Sequence, residues 1–265
     1  MLAAPLAVPL EHLTPHDLVA YFRCPHEMEL EKAQHAHDAA GAPVPVRTPA
    51  DVVPLRHSPL MTPPLGSIRV TAGRLAFTPG ARLVYQDDGE DDLPVLFPPE
   101  QVHLDPRFRV GRENLVDPVL GIAGRPDLVV ALGERELVPL EYKATHLFVG
   151  YHQAHGRLFD TVQAIAQCHL VEATFGQRPP YGIVLYGDAA GDGQNEGWVE
   201  VPYGEAEAAW LRYALKQVRS DSVRAPVPAE RNCGGCEPNG EGRCRYAAAR
   251  YEGPHHRSWA AGLQR

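Results

Sequence analysis

Apolar positions recur with helical spacing in three stretches of the chain and in short unbroken runs in several others. Near the start, Thr14-Pro15-His16-Asp17 carries the marks of a helix N-terminus: a capping hydroxyl, a proline at the first helical position and an acid where a capping box places one. Leu18, Tyr21 and Phe22 give that helix an apolar face. Cys24-Pro25 interrupts it, and a polar, Glu- and His-rich helix is expected to continue to about residue 37. Residues 128–132 and 137–143 are two runs of strand composition around Gly133-Glu134-Arg135, and they predict a hairpin. A helix is expected from about residue 155 to 175, with Leu158, Val162, Ile165 and Ala166 on one face and Gly176 at its end. Residues 181–186 and 198–201 read as further strands. Residues 204–220 form an amphipathic helix with Trp210, Leu211, Ala214, Leu215 and Val218 inward.

Between the first helix and this regular half the pattern loosens. Twelve of the 26 prolines fall in residues 39–106, and an acidic run, Asp87-Asp-Gly-Glu-Asp-Asp92, reads as a turn. Strand-like pieces at 67–70 and 81–85 keep returning, so the region is expected to be an insertion or irregular subdomain rather than a disordered linker. Four segments follow: an N-terminal helical segment (1–38), a Pro-rich insertion (39–108), a regular α/β core (109–222) and a cysteine-bearing C-terminal segment (223–265) that begins after the Ala225-Pro-Val-Pro228 link. No internal repeat is visible.

Composition narrows the class. At 265 residues and 44% hydrophobic content the chain can bury a substantial core. It has no run long enough to cross a bilayer as a helix, and its first ten residues carry no basic charge, so a cytoplasmic protein without membrane attachment is expected. A net charge of −8 argues against a protein that coats nucleic acid, yet leaves room for an enzyme with a local basic groove and metal-binding carboxylates. The five cysteines, Cys24, Cys168, Cys233, Cys236 and Cys244, suit metal better than disulfides in that compartment.

The hairpin carries the candidate chemistry. With its turn centred on Glu134, antiparallel pairing sets residue 127 opposite residue 141, with Cβ atoms about 5 Å apart on one face. Lys143, two residues on, shares that face. Asp127 and Glu141 so placed repel unless a cation lies between them, and Mg²⁺ or Mn²⁺ takes oxygen ligands of this kind, with the Tyr142 carbonyl as a further donor. A bound cation polarises a phosphoryl oxygen and activates water, while Lys143 orients the nucleophile or meets charge on the phosphate. These are the needs of phosphodiester hydrolysis. The alternative, a solvated pair of strand carboxylates, stays open on the hairpin alone.

Gly124-Arg-Pro-Asp127 followed by Glu141-Tyr-Lys143 resembles the PD-(D/E)XK nuclease signature, and Gln163 falls where the RecB-like branch carries its glutamine motif. That motif is usually Gln-x-x-x-Tyr; here Gln167 stands at the tyrosine's place. Tyr21-Phe-Arg-Cys-Pro25 together with Cys233-Gly-Gly-Cys236 and Cys244 resembles the iron–sulfur clip of the same branch, found in the CRISPR-associated exonucleases of the fourth Cas family and in AddB-type nucleases. The resemblance covers residues 11–37 and about 110–248. It implies a restriction-endonuclease-like core, a mixed sheet flanked by helices, whose catalytic residues are Asp127, Glu141, Lys143 and Gln163. It also implies hydrolysis of DNA, as an exonuclease on single strands or ends, and partners in a DNA-repair or CRISPR-adaptation complex. A metal-binding histidine often precedes the aspartate in this family; His57 and His103 are the candidates by order, and the ligand is left unassigned.

Cys-x₂-Cys-x₇-Cys with a distant fourth cysteine can hold a [4Fe–4S] cluster or a tetrahedral Zn²⁺, and spacing alone does not choose. The resemblance implies iron–sulfur, ligated by Cys24, Cys233, Cys236 and Cys244 and tying the two ends of the chain together. Cys24 could instead be a core residue, with His26 or His255 as substitute ligands, and Cys168 is expected in the core. Two other functions stay in view: a non-catalytic cluster-bearing adaptor, and an endonuclease or defence effector with residues 39–106 recognising the target. Arg125, expected opposite Lys143, suits a phosphate contact or a solvated strand position equally. His152 and His155 precede the glutamine helix as DNA contacts or surface residues, Tyr181 and Tyr186 read as core or strand-end residues, and His16, His35, His37 and His169 suggest no geometry.

Overall fold

The computed structural model describes residues 13–23, 68–72, 75–77, 79–87, 103–110, 114–134, 136–143, 158–187 and 197–220. Two compact units result: one takes His12–Pro15 and Leu60–Leu215, and the described residues of the other are 16–23 and 216–220. The protein is mixed α/β, a mixed sheet flanked by helices. Its elements are α1 (Pro15–Arg23), β1 (Arg69–Ala72), β2 (Arg82–Gln86), β3 (Leu104–Val110), β4 (Leu115–Asp117), β5 (Ile122–Gly124), β6 (Leu128–Ala131), β7 (Leu137–Lys143), α2 (Leu158–Phe175), β8 (Tyr181–Tyr186), β9 (Gly197–Pro202) and α3 (Glu205–Ser220). Seven strands form one sheet in the order β1-β9-β8-β7-β6-β2-β3, and β4 and β5 form a separate hairpin. Cys24, Cys233, Cys236 and Cys244, and with them the expected clip, lie outside the described residues, as do His57, His152 and His155. Among the described residues, no helix is long and apolar enough to cross a membrane.

The regular half folds as its periodicity requires. In α2, Val162, Ile165 and Ala166 are buried, and Gly176 ends the helix with φ +67° while its N–H bonds the Glu172 carbonyl at 2.9 Å. All five expected inward residues of α3, from Trp210 to Val218, are buried, and Glu207 accepts the Gly204 N–H at 2.8 Å at its start. β7 lies parallel to β8 and antiparallel to β6, with α2 bridging between β7 and β8 in sequence. β6 and the first four residues of β7 are buried and read as unbroken apolar runs. One face of the sheet packs Leu75, Leu83, Leu128, Val138, Leu140, Ile183 and Leu185 together; α2 covers the other. Gly182 permits that close approach, because a Cβ there would lie 3.0 Å from Cys168 Sγ and 3.4 Å from the Ala164 carbonyl oxygen. Cys168 is fully buried, as expected, and burial pushes its thiol well up, with Glu172 and Glu207 adding to the shift.

The Pro-rich region contributes more to the sheet than its composition suggests. β1, β2 and β3, which lie wholly or mostly within residues 39–108, are all strands of the main sheet. Pro106 is tolerated because β3 is an edge strand. Asp105 fastens β3 to β2: it accepts from Arg82 Nε at 3.1 Å, from Arg107 Nε at 2.8 Å and from the Arg107 N–H at 2.9 Å. The Arg107 bond holds its carboxyl down at about 2, against the opposing pull of burial, with Arg82 adding attraction.

A second buried polar chain joins β4, α2 and the start of α3. His169 Nε2 meets Asp117 Oδ2 at 2.7 Å and Nδ1 meets the Tyr203 hydroxyl at 3.0 Å. Tyr203 gives its proton to Glu172 at 3.1 Å, so the chain runs on from His169 through the phenol to a second α2 side chain. Burial works to raise the Asp117 carboxyl, but the His169 bond and the Val119 and Leu120 N–H groups outweigh it and the net shift is downward. Burial and the Glu172 charge push the Tyr203 hydroxyl far up. His169, which suggested no geometry in the sequence, is a structural junction.

Two measurements check these packing claims. Asp105 has a folded-state pKa below its unfolded value, so its stabilisation is present above about pH 4. That contribution is lost as pH falls toward 2. Asp105→Asn should therefore melt lower than wild type at pH 7, with the gap closing on acidification in thermal melts. Gly182→Val should cost about 1–3 kcal/mol in denaturant titrations, because the added side chain meets α2.

Candidate active site

The hairpin register places the two carboxylates where the sequence arithmetic expected them. Leu128 pairs with Leu140 and Ala131 with Leu137, and the same register sets Asp127 opposite Glu141. Both are mostly buried, at 7% and 6% exposure. The turn that fixes this register closes with the Leu132 N–H on the Glu136 carbonyl at 2.8 Å, and Gly133 takes φ +155° between them. The Tyr142 N–H donates to Asp127 Oδ2 at 2.5 Å, which locks the aspartate onto the strand carrying Glu141 and Lys143. Asp127 is held from the other side too, its carbonyl accepting the Asp87 N–H at 3.0 Å.

Glu141, Lys143 and Gln163 close a triangle. Lys143 Nζ donates to Glu141 Oε1 at 2.6 Å and to Gln163 Oε1 at 2.8 Å, and Gln163 Nε2 donates to the same Glu141 oxygen at 2.6 Å. The amide has one workable orientation here, oxygen to the ammonium and nitrogen to the carboxylate. Gln167, one turn further along α2 and 1% exposed, donates to Glu141 Oε2. Lys143 keeps 26% of its side chain exposed, so the triangle borders solvent on the ammonium side. Among the described residues, two of its three N–H groups are engaged, leaving one for an incoming oxygen.

The sequence missed Asp160. It lies on α2 three residues before Gln163, and its carboxylate accepts from the Tyr186 hydroxyl at 2.9 Å. Tyr186 is the β8 partner of Lys143, so this bond anchors the start of α2 beside the triangle. The signal was present: Asp160, Gln163 and Gln167 are polar at i, i+3 and i+7 on an otherwise apolar helix face. Tyr181 and Tyr186 are a half-buried strand-start residue and a buried core residue, as expected. Arg125 pairs with Asp87 at 3.2 Å and is partly exposed. His103 is exposed just before edge strand β3, with β2 between that strand and β6.

A small hard cation suits the donor set. Asp127 and Glu141 offer carboxylate oxygens side by side on adjacent strands, and Mg²⁺ is commonly held by one or two carboxylates with water and substrate oxygens completing its shell. Among the described residues, no group of three or more His, Cys, Asp or Glu side chains gathers to hold a metal. Searches of protein-family models, curated proteins and solved structures return no match to this chain.

Gly124 explains the first position of the Gly-x-x-Asp stretch. A Cβ there would lie 2.5 Å from Pro15 Cδ and 3.3 Å from Leu170 Cδ1. Gly124→Val should therefore destabilise the fold by about 1–3 kcal/mol in denaturant titrations. Because β5 leads directly into Asp127, it should also weaken any activity of the site more than an exposed substitution such as Glu134→Ala.

Proposed function

We propose that this chain is a Mg²⁺- or Mn²⁺-dependent deoxyribonuclease with a PD-(D/E)XK core of the RecB-like type, acting as an exonuclease on single-stranded DNA or DNA ends. The observation that carries the reading is the joint placement of Asp127 and Glu141 on opposed ladder positions with Lys143 on the same strand face and Gln163 bonded to both Glu141 and Lys143. Four residues separated by up to 36 positions in the chain meet at one sheet face, and they are the four to which the resemblance would give catalytic roles.

Asp127 and Glu141 would hold the cation, with the Tyr142 carbonyl as a third oxygen. When bound, the cation supplies Lewis-acid polarisation of the phosphoryl group and acidifies water. The chain's own residues do the rest. The Tyr142 N–H fixes Asp127 so that its carboxylate does not swing away. Gln163 holds the Lys143 ammonium at the mouth of the site, where its remaining proton can donate to a phosphoryl oxygen and stabilise the charge that develops there. Glu141 holds Lys143 in place through the 2.6 Å ion pair, so its amino group would serve as an orienting and charge-stabilising group.

The iron–sulfur clip belongs to the same proposal. Cys24, Cys233, Cys236 and Cys244 would ligate a [4Fe–4S] cluster, with Zn²⁺ as the alternative occupant, and its role would be to stabilise the fold. Protein partners in a DNA-repair or CRISPR-adaptation complex follow from the resemblance, and so does a cytoplasmic setting. One observation favours a second reading, a non-catalytic adaptor: both Glu141 oxygens are already satisfied by Lys143, Gln163 and Gln167 without a cation.

Cleavage of end-labelled single-stranded, duplex and circular DNA separates these readings. With Mg²⁺ or Mn²⁺ the wild type should degrade linear single strands and spare circles. Asp127→Ala and Lys143→Ala should each lose about 10²-fold or more, the scale of removing a charge-stabilising group. Retained cleavage in both variants would sink the site, and no cleavage by wild type would favour the adaptor. Cys233→Ala should lose visible absorbance and thermal stability together; full stability with an unchanged spectrum would remove Cys233 from the cluster.

A further inference from the structure

We infer that Arg125, held by Asp87, binds a backbone phosphate of the DNA strand next to the phosphate that Lys143 meets. The inference rests on the reading of Asp127, Glu141 and Lys143 as a nuclease site. Its basis is a register shift in β2. Leu83 pairs with Val130, but Tyr85 pairs with Val129 and Gln86 with Leu128, so β2 carries one extra residue between Leu83 and Tyr85. The shifted register sets Asp87 opposite Asp127, and the Asp87 N–H on the Asp127 carbonyl at 3.0 Å agrees with it. Without the extra residue, Asp87 would fall opposite Pro126, on the other face of the sheet. Asp87, Asp127 and Glu141 thus stand in a row on one face of β2, β6 and β7, at 8%, 7% and 6% exposure.

Buried carboxylates in a row require positive charge nearby, and this row has it at both ends. Lys143 Nζ donates to Glu141 at 2.6 Å, and Arg125 Nη1 donates to Asp87 Oδ1 at 3.2 Å. The two carboxylates that hold these cations lie on β7 and β2, two strand spacings or about 10 Å apart, with Asp127 between them. That separation suits neighbouring phosphates of one strand rather than a single phosphate. Both cations reach solvent, with 26% of the Lys143 side chain and 37% of the Arg125 side chain exposed. Among the described residues, one of the five N–H groups of Arg125 is bonded, and its planar fork matches two phosphate oxygens. Asp87 holds the guanidinium at one nitrogen and is itself tied to Asp127 through the backbone, so the cation is fixed relative to the site. An ion pair this exposed on the arginine side adds little to stability, and a purely structural Arg125 would leave DNA affinity alone.

The test uses the full-length protein. A fluorescent single-stranded oligonucleotide is titrated at several salt concentrations without divalent cation, and cleavage of linear single strands with Mn²⁺ supplies KM and kcat. Arg125→Gln should weaken binding about tenfold and lower the slope of log Kd against log salt by about 0.7, the single-strand value for one phosphate. In cleavage it should raise KM about tenfold and leave kcat within about twofold, as loss of a contact made equally in ground and transition states does. Arg125→Lys keeps the charge but loses the fork, so it should bind about threefold more weakly with the wild-type slope. It also guards against a folding failure in the first variant, and thermal melts establish which variants fold. Arg212→Gln, at an exposed position of α3, controls for net charge and should change affinity less than about twofold. Two results overturn the inference: wild-type binding that does not depend on salt, or a folded Arg125→Gln that binds no more weakly than Arg212→Gln. A wild type that leaves linear single strands intact overturns instead the nuclease reading beneath it, and the binding measurements still decide Arg125.

Discussion

Cross-strand register between β6 and β7 decides whether Asp127 and Glu141 meet, and a slip of one residue would turn one of them to the opposite face of the sheet. Register is usually protected by alternation of apolar and polar side chains. Here that protection is weak, because β6 and most of β7 are buried on both faces. The turn therefore carries the specification. Gly133 adopts a positive φ, the Leu132 N–H closes on Glu136, and Arg82 Nη2 from β2 holds the Gly133 carbonyl at 3.0 Å. A strand from the Pro-rich region thus braces the turn that aligns the site.

The other requirement is a helix willing to present polar groups to a sheet. Asp160, Gln163 and Gln167 each meet a partner on β7 or β8, and a low-dielectric setting makes those bonds interdependent. Toward its C-terminal end the same helix enters the Asp117–His169–Tyr203–Glu172 chain, which continues through Arg178 to Glu205 near the surface. α2 is consequently fixed by polar bonds at both ends and by apolar packing between them. Gly182 allows it to lie close enough for amide side chains to span the gap. The depth of α2 on the sheet and the geometry around Glu141 are one property.

Much of the core was written locally. The β6–β7 hairpin, α2, β8, β9 and α3 follow from apolar period, turn residues and caps, and they appear within a few residues of where those signals put them. Asp127, Glu141 and Lys143 could be aligned from sequence because one short hairpin contains all three, and counting residues across a turn is local arithmetic. Gln163 needed the resemblance as well, since its distance from the hairpin along the chain says nothing about which way α2 faces. β1 and β2 overlap the strand-like pieces at 67–70 and 81–85, whereas β3 was obscured by the proline and acids in and around it.

The sequence by itself determined the periodic elements, the hairpin and the convergence of the three hairpin residues, because each depends on neighbours close in the chain. Tertiary structure alone decided that the Pro-rich region supplies strands to the main sheet, that Asp160 and His169 have partners, and that Gln167 turns inward onto Glu141. Those outcomes depend on which face of α2 meets the sheet and how near it comes. Both are set by long-range packing at Gly182, Cys168 and Leu170, contacts between residues that no local pattern relates.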